Sequence, residues 1–153
     1  MKFLVIFTLS ALLLGCSSTG RNANLYSQPP ESEPSVIFLG EESPGKFLGK
    51  GHEKIYLCRV DGAFQNSYSF DKPTRVALGE RLISICYNEG ANHAEAPIKA
   101  SFDTTAEYQI KLGEHSWTKV NFSVVDKNTG ELVIGPVTVP KQAGDLPLLI
   151  FTQ

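Results

Sequence analysis

From Val36 onward, apolar side chains recur at every second position, a period that suits β-strands half-buried on a core and little else. Ile55 and Leu57 lie on one face of a strand, Tyr56, Cys58 and Val60 on the other, and Asp61-Gly62 ends it as a turn. Arg75 to Leu78 forms a second strand. Gly79-Glu80 then bends the chain into Arg81 to Tyr87, where Ile83, Ile85 and Tyr87 share a face. Ile98/Ala100/Phe102 and Tyr108/Ile110/Leu112 alternate with polar neighbours in the same way. Val120/Phe122/Val124 leads into Asp126-Lys127-Asn128-Thr129-Gly130, a hairpin loop with Gly placed for positive φ. Leu132 to Ile134 returns, Val137 and Val139 extend it past Pro136, and Leu148 to Phe151 closes the chain. No window keeps an apolar face at helical spacing over three turns. The expected domain is all-β: an antiparallel sandwich of seven to nine strands spanning residues 36–153.

Composition agrees where it bears on the argument. Thirteen Gly and nine Pro favour many turns, and 42% hydrophobic residues are enough for one compact core. A net charge of -2, with 14 Lys and Arg spread thinly, gives no field for gripping nucleic acid.

The first fifteen residues stand apart. Lys2 supplies a positive charge, and Phe3 to Leu14 is apolar except for Thr8 and Ser10. At about a dozen residues this run is too short for a transmembrane helix, which needs roughly 20, but it suits a signal peptide. Leu13-Leu14-Gly15-Cys16 resembles the lipobox of bacterial lipoproteins. That resemblance implies cleavage after Gly15, a diacylglycerol thioether on the Cys16 thiol and a palmitate-type acyl chain on its exposed amine. Only a thiolate is nucleophilic enough for such a thioether under mild conditions. Several chains, at ~0.8 kcal/mol per buried CH₂, make the attachment to membrane lipid effectively permanent. In enteric members of the family Asp after the Cys retains the protein in the inner membrane; Ser17 here implies the outer membrane.

Residues 16–35 read as a lipidated, flexible tether, since Leu25 and Tyr26 are the only large apolar side chains from Ser17 to Ser35. An ordered arm around Leu25-Tyr26 is the alternative. The chain also resembles small periplasmic β-sandwich lipoproteins. Its likeness runs through Val60-Asp61-Gly62, the strand-Gly-strand run Val76 to Ile85, Tyr108-Gln109-Ile110 and the Asp126 to Gly130 turn. This resemblance implies an immunoglobulin-like or transthyretin-like sandwich and carries over no catalytic residue. With Cys16 lipidated, Cys58 and Cys86 remain in a compartment that permits oxidation, the arithmetic of one disulfide; two separate buried thiols are the alternative.

Gly40-Glu41-Glu42-Ser43-Pro44-Gly45-Lys46 fits the spacing of a phosphate loop, but Phe47 replaces the Ser or Thr that would hold magnesium. Two glutamates would repel phosphate, and Gly49 and Gly51 argue against the helix that must follow. It reads as a strand-connecting loop. His52, His93 and His115 have no ligand-spaced partners, so a metal site would have to be assembled by the fold. The candidate set is Glu89, His93 and Glu95 in the polar stretch Asn88 to Pro97, with a solvated loop as the alternative. No nucleophile motif is present.

The expected function is that of a membrane-anchored envelope lipoprotein, a non-enzymatic binding or assembly-support module with an envelope protein as its partner. It needs no cofactor beyond the covalent lipid. A small-ligand or metal-binding lipoprotein is the alternative, and an enzyme with a fold-assembled site ranks below both. Loops Asn66 to Thr74 and Asn88 to Pro97 are the expected contact regions, with Tyr68, Asn92 and Trp117 as candidate contact residues.

Overall fold

A computed structural model describes residues 24–44, 52–65 and 72–143, and these contain strands but no helix. The expected signal peptide, Cys16, Tyr68 and the expected strand Leu148 to Phe151 lie outside the described residues. Among the described residues eleven strands form two packed sheets. In the first, the order is β10 (Leu132–Pro140), β9 (Lys119–Asp126), β8 (Glu107–Leu112), β1 (Ser35–Leu39) and β5 (Thr74–Ala77). In the second it is β11 (Gln142–Ala143), β7 (Asn92–Phe102), β6 (Gly79–Glu89), β3 (His52–Val60) and β2 (Glu41–Pro44), with β4 (Ala63–Phe64) also on β3. All pairings between strands are antiparallel except β1 with β8. The sandwich expected from the alternation is therefore present. Without β2, β4 and β11, which are too short to show a period, eight strands remain, within the expected seven to nine.

The turns form where the residue chemistry places them. Asp61 and Gly62 both have positive φ, 50° and 79°, the backbone of a two-residue hairpin between β3 and β4. Asp61 also accepts hydrogen bonds from the Leu82 amide (3.0 Å) and the Arg81 guanidinium (3.1 Å), tying this turn to β6. After Asp126 the amides of Asn128 and Thr129 both donate to its carboxylate at 2.8 Å. The Thr129 amide, then that of Asn128, holds this carboxyl below the usual aspartate range. β10 runs through the Gly135-Pro136 cis peptide, with shifts of register against β9 on either side of Ile134. Gly135 has φ 100°, and a Cβ there would stand 3.0 Å from the Phe122 carbonyl oxygen, so this bulge has no room for another residue.

The chain passes between sheets at corners held by side chains. Arg81 donates to the carbonyls of Ala77 (3.1 Å) and Leu78 (2.9 Å) where β5 gives way to β6. Between β1 and β2, the Gln109 amide donates to Gly40 O (2.8 Å) and the Leu112 amide to the Glu41 carboxylate (2.9 Å). Val36, Phe38, Ile55, Leu57, Val60, Ile83, Ile85, Ile110, Phe122 and Val124 fill the space between the sheets. Phe38, Phe102 and Tyr108 meet there with ring centroids 5.4–5.9 Å apart.

Two expectations are corrected. Residues 24–34 are not a free tether: Tyr26 N donates to Phe64 O, Phe64 N to Asn24 O, both at 2.7 Å, and Tyr26 packs on the core. Tyr26 supplies the burial that the rest of the segment lacks, while Leu25 bridges Phe64 and stays exposed, so the arm is ordered as the alternative required. Nor is Asn88 to Pro97 a loop. β6 and β7 pair residue by residue from Gly79↔Phe102 to Glu89↔Asn92, turning only at Gly90-Ala91. Polar side chains there sit on strands because cross-strand pairing, not their own propensity, decides the conformation.

Cys58 and Cys86 are joined by a disulfide with Cα atoms 5.7 Å apart, linking β3 to β6 on the solvent side of their sheet. Closing a loop of 28 residues restricts the unfolded chain by about 3.5 kcal/mol on the chain-entropy account. Cys58→Ala combined with Cys86→Ala is expected to lower unfolding free energy by about that amount, measured by urea denaturation, with an unchanged strand signature in circular dichroism.

Candidate functional site

Alternation along β6 sends its side chains to two different environments. Ile83, Ile85, Tyr87 and Glu89 point between the sheets; Leu82, Ser84 and Cys86 point outward. Together with β3 and β7, the outward set builds a groove of about 390 Å³. Its floor carries Ser84, the disulfide at Cys86 and Leu82, which is 45% exposed although it stands on a central strand. Arg59 and Glu95 face each other across the floor at 3.1 Å. His93 and Gln142 are hydrogen-bonded at 3.2 Å along the rim, and Pro97 adds an exposed apolar surface. The groove therefore offers an apolar floor between polar edges, the character of a binding cleft.

A second concentration of chemistry lies inside, at the end of the sandwich where β3 begins. Glu53 is 1% exposed and its Oε1 lies 2.7 Å from His115 Nε2; Ser43 donates to its other oxygen at 3.4 Å. His115 enters from the connection between β8 and β9, and its Nδ1 lies 3.1 Å from the Gly113 carbonyl oxygen. Both ring nitrogens thus face oxygens. A doubly protonated ring beside a carboxylate, or a neutral ring beside a carboxylic acid, satisfies both contacts, and either makes the pair neutral overall. Beside it the Tyr87 hydroxyl donates to Glu89 Oε2 (3.0 Å), and Lys141 Nζ donates to the Tyr87 oxygen (3.0 Å) and to Glu89 (3.4 Å). The rings of Tyr87 and His115 are 6.0 Å apart, so the two groups form one network. Burial, then the hydrogen bond to Glu89 and the charge of Glu53, pushes the Tyr87 phenol far above its ordinary range. Its charges balance, as a low-dielectric interior requires.

Glu89, His93 and Glu95 do not come together. Glu89 points into this network, whereas His93 and Glu95, offset by odd steps from its cross-strand partner Asn92, lie on the outer face. Among the described residues three potential ligand atoms gather only at Cys58, Cys86 and Glu95, where the bridge occupies both sulfurs. Asn92 begins β7 opposite Ala143 of β11. Trp117 is 58% exposed on the short turn 116–119, next to His115. The residues resembling a phosphate loop form β2 from Glu41 to Pro44, paired along β3. A strand, rather than a connecting loop, occupies that segment.

The interior network was missed as a group, though part of it had a signal. Glu53 is in phase with Ile55 and Leu57, and Glu89 with Ile85 and Tyr87, so each carboxylate stands at a core position of its own strand. Which cations would meet them depended on His115 and Lys141, both outside regular alternation. The chain matches no family model, and no curated protein or solved structure is similar to it.

Removing one member of the network strands its partner. Glu53→Ala and His115→Ala are each expected to cost about 3–5 kcal/mol in urea denaturation, with Glu53→Leu/His115→Leu costing less than the sum of the single changes. Tyr87 also links stability to pH. Because its folded-state pKa is raised, its contribution is complete below about pH 10, the ordinary tyrosine value, and declines above it as the unfolded chain ionises first. Unfolding free energy measured across alkaline pH should therefore fall less steeply in Tyr87→Phe than in the parent protein.

Proposed function

We propose that this chain is a lipid-anchored lipoprotein of the bacterial cell envelope, held at the outer membrane, that acts as a non-enzymatic binding or assembly-support module. The anchor rests on the sequence Leu13-Leu14-Gly15-Cys16 behind a short apolar run. The binding role rests on one observation above the others: the outer-face groove, with an exposed Leu82 on β6 one residue past the end of its ladder with β3. A large apolar side chain at the centre of a concave, covalently braced surface is a contact residue in waiting. The interior network, by contrast, consists of side chains engaged with one another away from solvent, which suits a structural duty. Its buried carboxylates and histidine support no reading as an enzyme.

Two measurements test this reading. Cys16→Ser should move the protein from the membrane pellet to the soluble periplasmic fraction, with loss of the acyl mass. A photo-crosslinking side chain at Leu82 should capture a discrete envelope component in intact cells, whereas one at the exposed Lys111 of β8, on the other sheet, should not. Ser84→Tyr, which fills the groove, should abolish the Leu82 adduct. Identical adducts from both positions would remove the groove as the contact surface.

A further inference from the structure

The arm that opens the described chain enters at a particular corner of the sandwich. Leu25 bridges Phe64 in parallel, extending β4, and β4 is paired on β3 at the level of Arg59 and Val60. Leu25 and Phe64 are both exposed, at 56% and 39%, side by side on this added edge. The Arg59 guanidinium lies over the Phe64 ring, 3.7 Å from its centroid. Apolar side chains capped by a guanidinium match the boundary between lipid headgroups and acyl chains, where aromatic and arginine side chains can be dry at one end and wet at the other. The nearby arginines do not oppose each other: Arg59 is paired with Glu95, and Arg81 with Asp61.

The opposite end of β3 holds Glu53 and, through it, His115 and the Trp117 turn. Six residues of extended strand separate Arg59 from Glu53 (59 - 53 = 6), about 20 Å. Covalent geometry limits the connection on the other side. From Cys16 to Asn24 is eight residues (24 - 16 = 8), so a lipid on Cys16 cannot lie more than about 28 Å from the docked arm.

We propose that the Leu25–Phe64 corner is a membrane-contact surface, resting on the lipid headgroup layer so that the Trp117 end points away from the bilayer. This rests on the Cys16 anchor proposed above. The occupant is a lipid surface because a span of eight residues holds this corner within about 28 Å of Cys16. The corner also presents two large apolar side chains where the chain arrives.

Trp117 is the single tryptophan of the chain, so emission reports one position at a time. Full-length acylated protein is reconstituted into phosphatidylethanolamine/phosphatidylglycerol vesicles that carry a headgroup nitroxide, a short-range quencher. Trp117→Phe combined with Phe64→Trp moves the reporter to the corner; Trp117→Phe combined with Leu25→Trp does so independently, should the first variant fold poorly. Both corner reporters are expected to be quenched at least about twofold more than Trp117 in the parent, as burial in the headgroup layer requires. Adding Leu25→Ser to the Phe64→Trp reporter should reduce the difference. Equal quenching at the two ends, or stronger quenching of Trp117, overturns the proposed orientation while leaving the anchor intact. Absence of acyl mass on Cys16 would overturn the anchor, and the orientation with it.

Discussion

Strand β6 is paired with β7 from Gly79 to Glu89 and with β3 from Ile83 to Asn88, and the register of those two ladders decides what every part of the molecule presents. With the observed register, Ile83 and Ile85 enter the core, Tyr87 and Glu89 reach the buried network, and Leu82, Ser84 and Cys86 line the groove. A slip of one residue would exchange the faces, placing Leu82 and Cys86 inside and the core isoleucines in water. The disulfide opposes such a slip directly, because it fixes Cys58 to Cys86 across the β3–β6 ladder at its bulge. The network opposes it from within, since Glu89 meets Lys141 only in this register.

The network has a cost as well as a use. Two carboxylates, a lysine and a histidine with little exposure could be replaced by apolar residues of similar volume with little loss of stability, and on general grounds with some gain. What they supply is discrimination among alternative packings. An aliphatic layer tolerates sliding and repacking, whereas a buried carboxylate without its cation does not. Here the four come from β3, β6, the β8–β9 connection and the residue between β10 and β11, so both sheets must be in place before the charges are satisfied.

Much of the fold was legible because strand alternation and turn chemistry agreed with each other. Asp61-Gly62, the Asp126 turn and the inward sets of β6 and β9 are local signals with local causes, whereas the irregularity at Cys58 brings Val60 to the face of Ile55 and Leu57 instead of the opposite one. Asn88 to Pro97 was misread because its polar composition mimics a loop. Its conformation comes instead from the cross-strand ladder that runs from Ser84↔Pro97 to Glu89↔Asn92. Residues 24–34 were misread for a related reason: composition averaged over twenty residues hid Tyr26, the side chain that docks on the core. The disulfide could be inferred from cysteine arithmetic, but the groove it floors could not. A concave outer face depends on which three strands become neighbours, and no spacing in the sequence states that β6 will lie between β3 and β7.

The docked arm has a mechanical meaning. A pull on the chain from its N-terminal side meets the amide–carbonyl bonds that join Asn24 and Tyr26 to Phe64, loading an antiparallel hairpin whose other strand is β3. That strand is covalently riveted to β6 near the point of entry. Tension would therefore spread through the larger sheet before it could peel away a single strand. The same rivet that narrows the choices of the unfolded chain would let a domain on a short leash bear load without losing its shape.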